Sequence, residues 1–195
     1  MAATSAVKLT STIIITLFLS ATFIPAGKSQ ESFERELSRQ EMGLGRQKLS
    51  HLHFYFHDIV SGKNPTAVRV AEAAVTNSSV TGFGAVVMMD DPLTIGPEMS
   101  SKIVGRAQGI YASADMNNFG FLMVLNYAFT EGKFNGSTLS ILGRNPVASV
   151  EREMPVVGGS GVFRFARGYA QARTRTFDRK TGDAVVEYNV YVFHY

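Results

Sequence analysis

Residues 51–58 read His51-Leu52-His53-Phe54-Tyr55-Phe56-His57-Asp58, with polar and apolar positions in strict alternation until the last. Successive side chains of a β-strand point to opposite faces. The pattern therefore predicts a strand with His51, His53, Tyr55 and His57 on one face and Leu52, Phe54, Phe56 and Asp58 on the other. The same reading predicts strands at 50–59, 66–74, 83–90, 102–114, 119–130, 136–143, 152–157, 166–177 and 183–194. Turn chemistry separates them: residues 61–65 and 77–79, Asp91-Pro92, Gly96-Pro97, Asn117-Asn118, Asn135-Gly136, Asn145-Pro146, Gly158-Gly159 and Thr181-Gly182. No segment sustains a helical period over a dozen residues. In 119–125 both faces are apolar, which predicts a core on one side and a subunit interface on the other. Many short strands predict an antiparallel barrel or sandwich. A self-associating barrel is favoured because closure removes exposed edges.

The chain's start alters this picture. Lys8, an apolar run from Ile13 to about Ile24, and small residues at Gly27 and Ser29 predict a secretory signal peptide over 1–29. Residues 30–49 are expected to be a flexible arm and 50–195 one barrel domain, secreted and soluble. Loss of Lys8 and Lys28 takes the formal charge from +3 to 3 − 2 = +1, so neither nucleic acid nor membrane is an expected partner. The cysteine count is 0, which excludes disulfides, thiol catalysis and iron–sulfur centres. There are 4 histidines, three of them on one strand, where they lie ~6.6 and ~13 Å apart and do not converge on one ion. No metal and no cofactor is expected.

Candidate chemistry starts with Asp58, a carboxylate on a phenylalanine face. Such a group is costly unless paired or used. In a barrel that face is the lumen, where desolvation raises the acid's pKa and Phe54 and Phe56 line the wall; capping of the 61–65 turn is the competing role. Tyr111 shares its face with Gly105, Ala107 and Gly109, small residues expected to leave room inside. In Asp90-Asp91-Pro92 one acid, Asp91, reaches the pocket rim or both cap a turn. Gly158-Gly159-Ser160-Gly161 lacks the lysine of a phosphate loop. Asn77-Ser78-Ser79 and Asn135-Gly136-Ser137 are glycosylation sequons, whereas Asn64-Pro65-Thr66 is excluded by its proline.

Seven motifs then carry a family likeness. Leu52-His53-Phe54-Tyr55-Phe56-His57-Asp58, Met89-Asp90-Asp91-Pro92-Leu93-Thr94, Val104-Gly105-Arg106-Ala107-Gln108-Gly109 and Asn135-Gly136-Ser137-Thr138-Leu139 come first. Arg152-Glu153-Met154-Pro155 running to Gly161, Ala166-Arg167-Gly168-Tyr169-Ala170, and Asp183-Ala184-Val185-Val186-Glu187-Tyr188-Asn189-Val190 complete them. In this order, over roughly 50–195, the chain resembles plant dirigent proteins. The resemblance implies an eight-stranded antiparallel barrel, a trimer or else a dimer, secreted to the apoplast. It implies that phenoxy radicals made by a separate laccase or peroxidase are coupled with stereoselectivity, as in lignan formation from coniferyl alcohol. It also places Arg152 in the cavity wall as an anchor for a phenolate and a partner for Asp58. With nine candidate strands against eight, the surplus is expected between 152 and 177, where 158–167 forms a turn-helix. Lignan-forming members carry an aspartate where this chain has Asn145, in Gly143-Arg144-Asn145-Pro146. That version resembles a branch that includes proteins dehydrating isoflavanols through a quinone methide, so a cofactor-free dehydratase is the alternative. A plain carrier of apolar ligands is a third.

Overall fold

Alternation resolves into nine strands: β1 (Lys48–Asp58), β2 (Ala67–Ala71), β3 (Val86–Thr94), β4 (Ile103–Ser113), β5 (Gly120–Phe129), β6 (Thr138–Pro146), β7 (Arg152–Ser160), β8 (Arg167–Phe177) and β9 (Ala184–His194). The computed structural model describes residues 33–195, so the signal-peptide expectation lies outside the described residues. Each strand pairs antiparallel with its neighbour in the order β1-β9-β8-β7-β6-β5-β4-β3, and β1 meets β3 to close an eight-stranded ring.

The surplus strand is β2, not one in the 152–177 region. Both strands there are real, separated by a single 3-10 turn at Gly161–Phe163. The seam explains β2. β1 touches β3 only through Tyr55↔Thr94 and Phe56↔Leu93, and β2 covers the other half of β3, from Ala67↔Met89 to Ala71↔Val86.

Three turn assignments fail for one reason. Asp91-Pro92 lies within β3, Asn145-Pro146 within β6 and Gly158-Gly159 within β7, because ladder pairing overrides local turn chemistry. Pro92 is tolerated since it falls between the β2 and β1 pairings, where β3 lacks a partner on one side. Gly158 sits at a register shift between β6 and β7.

The lumen is filled by Phe54, Phe56, Leu93, Met123, Leu125, Tyr127, Leu139, Met154 and Tyr188, all buried. At the end where β1 begins, Phe129, Phe134 and Phe163 pack together with His194 and close the floor. Asp58, Tyr111, Asn145 and Arg152 all lie at the opposite ends of their strands. Gly105 and Gly109 make room for backbone rather than for a ligand. A methyl on Gly109 would stand 2.2 Å from the Val124 carbonyl oxygen, and one on Gly105 would stand 2.5 Å from that of Ala128. The tight approach of β5 to β4 requires both glycines.

Candidate functional site

The faces of β1 fall as the alternation predicts. Phe54 is 1% exposed and packs its ring at 5.0 Å from Tyr127 and 5.9 Å from Tyr188, while Phe56 lies beside Tyr188. Both are core residues, below the open hollows rather than on their walls. On the outer face His51 bonds Asn189, His53 bonds Glu187 and His57 bonds Thr94, so each histidine has its own partner.

Asp58 ends this strand without capping the turn that follows. Asp183 does that work: its Oδ1 accepts from the Val60 and Ser61 amides, and its Oδ2 accepts from the Ser61 hydroxyl at 2.6 Å. Asp58 instead accepts the Tyr111 hydroxyl at 3.4 Å on Oδ1. Desolvation pushes its pKa up to about 6, with the Tyr111 bond opposing and Asp183 adding to the rise. Burial beside these acids also pushes the Tyr111 phenol up.

Of Asp90 and Asp91, neither caps a turn. Asp90 faces outward and accepts from Arg106 and Gln108. Asp91 faces the lumen between Met89 and Leu93, 0% exposed, and accepts the Thr66 hydroxyl on Oδ1 while its Oδ2 has no partner among the described residues. Desolvation pushes its pKa up to about 7, Thr66 opposes, and the Asp58 charge adds to the rise. An orphaned buried carboxylate oxygen is expensive unless it carries a proton.

Arg152 is 3% exposed, yet it does not partner Asp58. Its Nε donates to Asn145 Oδ1 at 3.1 Å and its Nη1 to Thr174 Oγ1 at 2.9 Å. Among the described residues no carboxylate pairs with it. Burial lowers its pKa, and a guanidinium with two of five donors in use retains capacity for an anion. Asn145 holds its other end against Met123 Sδ at 3.7 Å.

Two groups of polar side chains are thus set into this part of the barrel, the acids Asp58 and Asp91 with Tyr111, and Arg152 with Asn145; Asp58 and Tyr111 each border a hollow, while Asp91, Arg152 and Asn145 are buried. Tyr188 is buried within reach of both: desolvation lifts its pKa to about 12, and Arg152, Asp58 and Asp91 all act on it. Asp58 borders a hollow of about 380 Å³ with Met99 and Phe177, and Tyr111 borders another of about 470 Å³ with Val87 and Phe121. Sequence reasoning passed over Thr66, Thr174 and Met123. Only the 3D pairing reveals them, since an isolated Thr or Met carries no signal of its own.

Of the sequons, Asn77 is exposed on a 3-10 turn and donates to Glu72, while Asn135 is exposed beside a buried Ser137.

The family model described as "Dirigent-like protein" matches residues 49–193. Dirigent protein 21 of Arabidopsis thaliana is 54% identical over 182 residues, 93% of this chain and 96% of that protein. Pterocarpan synthase 1 of Glycyrrhiza echinata is 50% identical, over 92% of this chain and 97% of its own length. The solved pterocarpan synthase dirigent protein GePTS1 superposes with a TM-score of 0.73 at 56% identity, covering 77% of this chain and 87% of that one.

Proposed function

The chain belongs to the dirigent family, and from that premise we propose that its barrel controls the stereochemistry of phenoxy radical coupling, a reaction that yields a quinone methide. The observation that carries this reading is two buried acids, Asp58 and Asp91, whose pKa values desolvation raises, together with a buried Arg152 that pairs with no carboxylate among the described residues. Phenoxy radicals supplied by a separate laccase or peroxidase combine by pairing their unpaired electrons in one new C–C bond, giving a bis-quinone methide. A hydroxyl oxygen then attacks each methide carbon. As the C–O bond forms, an electron pair moves to the carbonyl oxygen, which takes up one proton while the attacking hydroxyl releases one. Arg152 suits the developing phenolate, and Asp58 or Asp91 the proton exchange. The pocket need not accelerate radical coupling. A preference of about 1.4 kcal/mol between competing faces already gives tenfold selectivity.

Asn145 and the likeness to pterocarpan synthases favour a second reading, dehydration of an isoflavanol. The acid protonates the leaving hydroxyl, and the C–O electrons depart with water. The phenol gives up its proton to leave a quinone methide, which the second phenol oxygen closes. One experiment separates the two: incubation with coniferyl alcohol plus laccase, and separately with an isoflavanol and no oxidant, followed by chiral chromatography. Enantiomeric excess in the first alone supports coupling, pterocarpan in the second alone supports dehydration, and neither product overturns both.

We further propose secretion, glycosylation at Asn77, and self-association, trimer before dimer. For the last, the support is an outer row in register across five strands, Val68↔Met88↔Ile110↔Val124↔Leu142. Four of these are 39–47% exposed, a continuous apolar stripe of the kind that marks an interface.

A further inference from the structure

β2 stands outside the ring, yet it contributes to the mouth. The hollow beside Tyr111 is walled by Val60, Ala67, Ala85, Val87 and Phe121, and Arg69 is its one charged lining residue among those described. The register explains why. Ala67 is buried against the lumen side, and Arg69, two residues on, shares its face. Arg69 pairs with Val87, and Val87 pairs with Tyr111. Arg69 and Tyr111 thus share one cross-strand row, two strands or ~10 Å apart.

What holds the guanidinium is weak. Arg69 Nη1 meets Glu72 Oε2 at 3.2 Å, with both side chains about half exposed, and the other Glu72 oxygen accepts from Asn77. An exposed pair of this kind adds little to stability, so an arriving anion displaces Glu72 at little cost. Arg69 borders the hollow beside the apolar walls of Val60, Val87 and Phe121, and its fork can hold a carboxylate bidentately. Its field already reaches Tyr111, where it opposes the rise in the phenol's pKa.

We propose that Arg69 is a specificity-determining residue: it selects phenolics that carry a carboxylate at the end remote from the phenol. The inference rests on the reading that a phenolic occupies this mouth. A hydroxycinnamate, with its ring at Tyr111 and its carboxylate at Arg69, has a comparable span.

The test is calorimetric binding of three probes at about pH 6, where a free carboxylate is ionised: ferulate, its methyl ester and coniferyl alcohol. Ferulate should bind roughly tenfold more tightly than the ester, about 1.4 kcal/mol, with the margin shrinking as salt rises. Arg69→Gln should remove the margin while leaving ester affinity within about twofold. Glu72→Gln, which frees the guanidinium, should widen it. Equal affinity of ferulate and ester, or a margin that survives Arg69→Gln, overturns the assignment and leaves the proposed function standing. Failure of all three probes to bind overturns the assignment together with the coupling reading on which it rests.

Discussion

Tyr111 on β4 donates to Asp58 on β1 at 3.4 Å, although the two strands are not neighbours in the ring. The bond crosses the seam where β1 leaves β3 and β2 has taken its place. It also couples two titrations. A hydrogen bond to the ionised carboxylate opposes desolvation, so Asp58 settles near 6 rather than higher.

Removing that bond should raise the acid further. In Tyr111→Phe, the Asp58 pKa is expected to move up, and in Asp183→Asn, which deletes a neighbouring charge, to move down. Carbon-13 NMR titration of the side-chain carboxyl checks both. Movement in the same direction for both variants would contradict the assigned causes.

Asp58→Asn distinguishes a proton donor from a hydrogen-bond acceptor. A donor role predicts loss of roughly 10²–10⁴-fold in product formation; an acceptor role predicts partial retention, since the amide oxygen still accepts. Arg152→Lys should be nearly as damaging as Arg152→Ala, because a point charge does not reproduce the fork that spans Asn145 and Thr174. His53→Ala, on the outer face, should leave product handedness unchanged, and chiral chromatography of each variant decides.

Stability should run against the usual acid trend in one window. Asp58 and Asp91 have folded pKa values of about 6 and about 7, both above the ordinary 3.8. Between these limits the folded state binds more protons than the unfolded one, so stability falls as pH rises through the window and is fully present below it. Burial lowers the His57 pKa, which offsets part of this slope below about pH 6.5. Asp115, Asp183 and Glu187 are shifted down and also act oppositely, their contributions being lost as pH drops below about 4. Thermal unfolding should therefore give a higher Tm near pH 5 than near pH 7.5. Asp91→Asn should flatten most of that slope, which amounts to a few kcal/mol.

Much of this was legible in the sequence, and what was missed has a common physical origin. Two-residue alternation located all nine strands and the lumen face of β1, because half-buried strands write their burial pattern directly. Asp91 and Asn145 are candidates for the pocket, yet the sequence also places them in turns, since a polar residue beside proline looks like a turn whether it faces water or a cavity. These are also the residues that give the mouth its acid and hold its arginine. Sites that put polar groups inside break the binary pattern by necessity, so local reading errs where function lies. The glycines of β4 misled in another way: small residues on a lumen face suggest space, and only the neighbouring strand's position shows that backbone takes it up.

The outer row Val68–Met88–Ile110–Val124–Leu142 gives the last prediction. A barrel surface should be polar, yet β5 places Leu122 and Val124 outward while Met123 and Leu125 point into the core. Four side chains of the row that remain 39–47% exposed would be covered in a symmetric assembly. Val124→Glu sets a charge between Ile110 and Leu142, where an interface would have to desolvate it without a partner. Sedimentation equilibrium should show the protein as an oligomer at micromolar concentration and Val124→Glu as a monomer with an unchanged β-sheet circular dichroism spectrum. Glu153→Lys, on an exposed position of β7 outside this row, should remain assembled. A monomeric native protein, or an oligomer indifferent to Val124→Glu, would show that the apolar row is not the contact.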